Sequence, residues 1–537
     1  MGNIVPSLSE PCPPSRQVNT KYGPIIGRRL IHKGDRLVDA FQGIPFATPP
    51  LGELRFNRPK PPESWTEVRE TKSFGARSIQ KDLIPFSRMK LGPTSEDCLT
   101  LNVFTPCWEP EQPSGFPVLV YIHGGGFVMD SCVKYGDIGI CKNIVTKDMV
   151  VVTTQYRLGY LGFFTTGDDV CPGNNALWDM KMALEWVHDN IRNFNGDPTN
   201  ITIMGQSAGG DFVDLLSLSP HTRDLFHKVI PMAGNASAEW SICKNASETC
   251  RKFAAKHGVS NYYDSEKFLE DLRKVPAHTF GLTIEVLDEW IPPVGPRIDG
   301  HFLPKPLDEL RKEAPIKPRM IGCCRSEGVF FLLTAAHIGL NRLEDVAGQL
   351  ITEKDFPNDF KQKRKAYMDR IVSMDKRENL TAEEVRRAVG EGIGDRFLNI
   401  ACQKAVCEWL KHGSPVYFYS YDYFNPKMWG MVGLRMPYKD STHCTEIAYL
   451  FAVGLISSFE YTEEDLQMLD YTTRLWTNFC KYGDPNGKDE AEWLPATLEH
   501  PQRHFQIDLQ STMSDVYKNG RPMLILDFEK EKTSSQP

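Results

Sequence analysis

Two periodicities alternate along the chain. Pro117-Val118-Leu119-Val120-Tyr121-Ile122 and Met149-Val150-Val151-Val152-Thr153-Thr154 are unbroken apolar runs of strand length, the pattern of strands covered on both faces. Met180, Ala183, Leu184, Val187, Ile191 and Phe194 then recur at helical spacing, so that segment buries one stripe. Asn195-Gly196-Asp197-Pro198 stops it, since Gly and Pro both interrupt a helix. Shorter strand-like runs follow at 201–204, 320–322 and 415–419, while 262–303 and 354–410 read as helical or irregular cover. Alternation of this kind predicts an α/β architecture on a mostly parallel sheet. No repeat, low-complexity tract or Gly/Ser linker cuts the 537 residues. The chain therefore reads as one domain, 1–537, with flexible ends at 1–16 and 530–537.

Composition narrows the class. Lys and Arg number 62 against 69 Asp and Glu, a net charge of −7, which lacks the basic surplus of a nucleic-acid binder. No run approaches the roughly 18 apolar residues needed to span a bilayer. Residues 1–10 show neither the basic nor the apolar part of a secretory signal, and the tail carries no retention address. The expectation is a cytoplasmic enzyme whose 14 cysteines stay mostly reduced. The triplets beginning at Asn200, Asn235, Asn245 and Asn379 are formal glycosylation sites that would then remain bare.

One segment carries chemistry. Gly205-Gln206-Ser207-Ala208-Gly209 follows a predicted strand and precedes the helical-looking 211–216. This is the G-x-S-x-G elbow, in which a serine sits on a sharp strand-to-helix turn. Upstream, at the end of another predicted strand, stands His123-Gly124-Gly125-Gly126-Phe127, the H-G-G-G type of loop whose backbone N–H groups receive an oxyanion. A serine needs a base, and in this arrangement the chain order is Ser, acid, His. His337, His412, His443, His500 and His504 all qualify by order. His443 stands in a loop before an apolar helix, and Glu327 follows the strand at 320–322, where ligands gather at strand ends. Position alone leaves the other histidines open.

With these motifs, the sequence resembles the type-B carboxylesterase/cholinesterase family over nearly its whole length. Phe41-Gln42-Gly43-Ile44-Pro45-Phe46-Ala47 and Ser95-Glu96-Asp97-Cys98-Leu99-Thr100-Leu101-Asn102-Val103 resemble its two N-terminal signatures. Tyr156-Arg157-Leu158-Gly159, Trp476-Thr477-Asn478-Phe479 and Gly483-Asp484-Pro485-Asn486 extend the match. The resemblance implies an α/β-hydrolase fold, a large mixed and mostly parallel sheet flanked by helices. It implies Ser207 as nucleophile, Glu327 as acid, His443 as base, and an oxyanion hole on Gly125, Gly126 and Ala208. It implies no metal, no organic cofactor, a small-molecule ester as partner, and room for a homo-oligomer.

Four departures stand out. The family's disulfide partner of Cys98 is replaced by Ser78, while Cys243 and Cys250 remain open as a pair or as thiols. Gln206 stands where cholinesterases carry a glutamate, and residues 78–98 hold no tryptophan, so choline recognition by cation–π contact is not expected. Cys444 replaces a glycine frequent after the histidine. Asp211 and Phe212 replace small residues after the elbow. The expected function is hydrolysis of small uncharged esters. The alternative is a catalytically weak, cholinesterase-like binding or adhesion protein, which predicts a lost serine and a membrane tether that this sequence does not show.

Overall fold

A computed structural model describes residues 12–31, 36–82, 91–282, 291–333, 335, 338–454, 459–488 and 491–534. His337 and the segment 1–10 lie outside the described residues. The chain opens with β1 (Pro14–Asn19), β2 (Pro24–Ile31) and β3 (Leu37–Pro45), an antiparallel meander with β4 (Arg69–Glu70) beside β2. There follow β5 (Thr100–Pro106), β6 (Phe116–Ile122), β7 (Val150–Thr154) and β8 (Gly196–Gln206). Then come β9 (Lys228–Met232), β10 (Arg319–Cys324), β11 (Val416–Tyr421), β12 (His504–Ile507) and β13 (Thr512–Ser514).

These strands form one sheet in the order β1-β2-β3-β5-β7-β6-β8-β9-β10-β11-β12-β13. From β7 to β12 every pair of neighbours is parallel. The fold is an α/β-hydrolase, as expected. Strands β5, β7, β9, β10 and β11 are buried at every position, which is why their sequences read as continuous rather than alternating apolar runs. Alternate side chains enter two cores. Val118, Val120, Ile122, Ile201 and Ile203 join one, while Leu119, Tyr121, Met204, Ile230 and Met232 join the other. Each such side chain stabilises the fold by about 1.5–3 kcal/mol when fully buried.

The helix Asn175–Asn190 buries Met180, Ala183, Leu184 and Val187 as the spacing predicts, and a 3₁₀ turn carries on through Ile191–Phe194. Gly196-Asp197-Pro198 does more than stop that helix, because β8 already starts at Gly196. Helices Ser265–Arg273, Phe360–Ile371 and Ala382–Gly394 lie within the two cover regions, and Ile400–His412 runs two residues past the second. Of the end segments 1–16 and 530–537, residues 1–11 and 535–537 lie outside the described residues. Pro14–Asn19 is an edge strand laddered to β2 with Val18 in the core, and the last helix runs Arg521–Ser534 on buried Ile525, Leu526 and Phe528. Among the described residues no helix is long and apolar enough to cross a membrane.

The strand order also fixes where a site forms. The chain leaves β6 for β7 on one side and leaves β8 for β9 on the other. The ends of β6 and β8 thus flank a topological switch point, the place where open α/β sheets leave a crevice for ligands. Both sequence motifs stand there.

Candidate active site

Ser207 occupies φ 58°, ψ −126° between β8 and the helix Ala208–Leu218. A non-glycine residue here stores roughly 1–3 kcal/mol of strain, and the surroundings hold it. The Ser207 N–H donates to Met232 O at 2.8 Å, while its carbonyl accepts from Asp211 N–H at 3.0 Å. The flanking glycines are steric requirements. A Cβ on Gly205 would lie 2.1 Å from Gly209 O, and one on Gly209 would lie 2.2 Å from Ile122 O. Their absence of side chains lets the elbow close against β6.

Ile122 pairs with Gly205, so the loop after β6 emerges beside Ser207. Gly125 and Gly126 both adopt positive φ, 96° and 59°. The Gly125 carbonyl turns away to accept from Val128 and Met129 N–H, both at 3.1 Å. Behind the loop, the Tyr156 hydroxyl reaches His123 O at 2.8 Å and Gly124 O at 3.3 Å, and its ring stacks on the buried His123 at 4.4 Å. Burial lowers the His123 pKa, favouring a neutral ring. With the carbonyls so engaged, the N–H groups of Gly125, Gly126 and Ala208 donate to no protein acceptor among the described residues.

Glu327 follows β10 and is 1% exposed; His443 is 4% exposed in the loop before the helix Thr445–Phe451. Glu327 Oε2 lies 2.7 Å from His443 Nδ1, and Oε1 accepts from Cys324 N–H at 2.6 Å. The two loops are tied together by Ser326 N–H to Ser441 O at 2.7 Å and by the Thr442 hydroxyl to Glu327 O at 3.1 Å. Burial opposes the imidazolium, but Cys444 and Glu327 outweigh it and hold His443 well above the ordinary histidine range. Phe330 and Phe331 tilt against the ring, 5.3 and 5.5 Å between centroids.

The structure thus brings Glu327 and His443 into contact, and Gln206, the neighbour of Ser207, meets the same imidazole at 3.3 Å from Nε2. Among the described residues the Ser207 hydroxyl makes no hydrogen bond to His443; such bonds often tighten only when substrate binds. The other candidate bases stand elsewhere. His412 faces Ser414, and His504 on β12 contacts Gln502 O with its pKa pushed down to about 4 by burial. His500 sits in an exposed turn with Thr497.

The departures find places too. Cys98 is a free buried thiol pushed up to about 12 by burial, and Cys243 and Cys250 are free as well. Asp211 is buried, accepts from the Ser241 hydroxyl, and burial pushes its carboxyl well above the usual range, which favours the protonated form. Cys444 adopts φ 72°, the left-handed region that glycine enters most readily. Sequence reasoning assigned no role to Tyr156, Thr442 or Glu446. Burial, driven further by Glu327, pushes the Glu446 carboxyl up to about 7, and the Cys324 thiol donates to it at 2.8 Å. Its spacing, three residues after the base, was the available signal.

The chain is 40% identical over 520 residues to esterase cest-33 of Caenorhabditis elegans, covering 93% of this chain and 91% of that protein. It is 33% identical over 523 residues to a medium-chain fatty acyl-CoA hydrolase precursor of Anas platyrhynchos, covering 92% and 88%. Carboxylesterase 3 of Homo sapiens is 30% identical over 512 residues, covering 91% and 86%. The sequence profile of the carboxylesterase family matches residues 14–524. The chain belongs to the carboxylesterase family, and with it to the carboxylic ester hydrolases.

Proposed function

We propose that this protein hydrolyses small, uncharged carboxylic esters through an acyl-enzyme on Ser207. His443 takes the Ser207 proton at Nε2 as the hydroxyl attacks the carbonyl carbon. Glu327 holds the other ring proton at Nδ1 and offsets the imidazolium charge. The tetrahedral oxyanion lies against the N–H groups of Gly125, Gly126 and Ala208, each such donor being worth about 2.7–4 kcal/mol of barrier. The imidazolium then protonates the departing alcohol, and water attacks the acyl-enzyme by the same route in reverse.

One observation carries this reading: the buried Glu327–His443 pair at 2.7 Å stands at the same strand ends as a strained serine and three amides that donate to no acceptor among the described residues. The charge balance supports an uncharged substrate. Gln206 brings no anion beside the serine, and Asp211 is buried against Ser241. Phe127, Phe212 and Trp240 form an aromatic cluster next to the elbow, with centroids 5.8 Å apart from Phe127 to each of the others.

The test is a fluorophosphonate probe together with p-nitrophenyl esters of increasing acyl length. Labelling at Ser207 and turnover that disappears in Ser207→Ala are expected. A folded protein that takes no label at Ser207 would overturn the proposal.

A further inference from the structure

Two of the departures meet on the base. The Cys444 thiol donates to Gln206 Oε1 at 3.2 Å, and the Gln206 amide nitrogen lies 3.3 Å from His443 Nε2 and 3.5 Å from Nδ1. An atom nearly equidistant from both ring nitrogens does not fit in the ring plane, where it would press on the carbon between them inside van der Waals contact. The carboxamide therefore lies over the ring. That placement leaves the in-plane lone pair of Nε2 unblocked by the carboxamide, while Nδ1 stays on Glu327.

Cys444 holds its half of this contact at a cost. Its φ of 72° is strained for any residue with a side chain, and a strained residue at a site is a reason to look for a role. The thiol contact to Gln206 is what the side chain adds at that position. The groups facing the imidazole are Glu327 from the turn after β10, Glu446 from the helix that follows the base, Cys444, Phe330 and Phe331, and Gln206 from the end of β8. Two buried acids thus already surround one imidazole. A third at 206 would favour the imidazolium, which accepts no proton from Ser207.

We propose that Cys444 and Gln206 form a neutral clip on His443: the thiol fixes the carboxamide, and the carboxamide holds the ring with Nε2 turned towards Ser207 without adding an anion. Gln206 and Cys444 are positioning residues, and the inference rests on the catalytic reading above.

The test compares pH profiles of p-nitrophenyl butyrate hydrolysis in four variants. Gln206→Glu moves the acid limb of kcat/KM up by about one pH unit or more, the effect of an adjacent opposite charge. Gln206→Met leaves that limb in place but lowers kcat about tenfold with little change in KM, as expected when the amide contact over the ring face is lost. Cys444→Ala lowers kcat to a similar degree and, by removing a group that raises the His443 pKa, moves the acid limb down; Cys444→Ser, which keeps a donor, recovers most of the kcat loss. An unmoved limb in Gln206→Glu, or wild-type kcat in Cys444→Ala, overturns the clip. Wild-type protein that neither labels at Ser207 nor turns over ester would instead overturn the catalytic reading, so the two failures are distinguishable.

Discussion

Replacing Glu327 with glutamine exchanges one carboxylate oxygen for an amino group where both oxygens are engaged. Oε1 accepts from Cys324 N–H at 2.6 Å and Oε2 faces His443 Nδ1 at 2.7 Å. A backbone N–H only donates, so the single carbonyl oxygen of the amide must turn to Cys324. The amino group then faces Nδ1, which has to become an acceptor. The ring proton moves to Nε2, and the lone pair that should receive the Ser207 proton is gone. Shape and volume barely change, so the loss comes from the wrong tautomer. A comparable exchange in a serine-protease triad lowers kcat about 10⁴-fold, which corresponds to about 5.5 kcal/mol of barrier. The assay is kcat for p-nitrophenyl butyrate, with thermal melting of both proteins as the control for folding. A folded Glu327→Gln enzyme within tenfold of wild type would refute the assignment of Glu327 as the partner that sets the tautomer.

Four further outcomes follow from the same geometry. Gly125→Ala would place a Cβ 2.1 Å from Met129 O at a φ of 96°, so kcat should fall about 10²–10³-fold, the loss expected when an oxyanion donor is misplaced; kcat with stability held checks it. Tyr156→Phe removes the hydroxyl that holds His123 O and Gly124 O and should lower kcat about tenfold with little change in KM, as one lost orienting hydrogen bond would. Because His443 must be neutral to act and its pKa is raised, activity should be lost on acidification through a midpoint above about 6.5; a kcat/KM profile with its midpoint below 6 contradicts this. Asp214→Ala leaves the fully buried Arg319 without its 3.2 Å partner and should destabilise the protein by about 3–5 kcal/mol, read from urea denaturation.

The parts of the site that were legible in the sequence are the local ones. Gly205, Ser207 and Gly209 lie within five residues, and the switch from strand to helix around them is visible in the hydrophobic pattern. The same holds for Gly124-Gly125-Gly126 after β6. The acid and base are different in kind. Glu327 and His443 are separated by 116 residues, and nothing local distinguishes His443 from His412, His500 or His504. Family resemblance picked it, and the pairing of β8, β9 and β10 explains why the acid lies beside the elbow. Tyr156, Thr442 and Glu446 escaped because the partner of each, His123 O, Glu327 O and the Cys324 thiol, comes from a distant part of the chain. The first strand and the last helix left little trace in the hydrophobic pattern for another reason. β1 is an edge strand of six residues, and the last helix carries a polar tail beyond Ile525, Leu526 and Phe528, so neither shows a clear period.

Three of the non-glycine residues with positive φ stand around the serine. Ser207, Ala233 and Cys444 adopt φ of 58°, 46° and 72°, each costing of order 1–3 kcal/mol. None of the three would persist on an isolated turn. Ser207 is held by β9 through Met232 O, Ala233 by β10 through Gly322 O at 2.8 Å, and Cys444 by Gln206 at the end of β8. The anchors are neighbouring strands of the parallel sheet, the most deeply buried part of the molecule. A parallel sheet buried on both faces therefore does two things at once. It supplies the apolar burial that offsets the strain, and it fixes the strand ends at which the strained residues must meet. That is why the chemistry stands at the edge of the best-packed region rather than on a mobile loop, and why it depends on contacts between residues far apart in the chain.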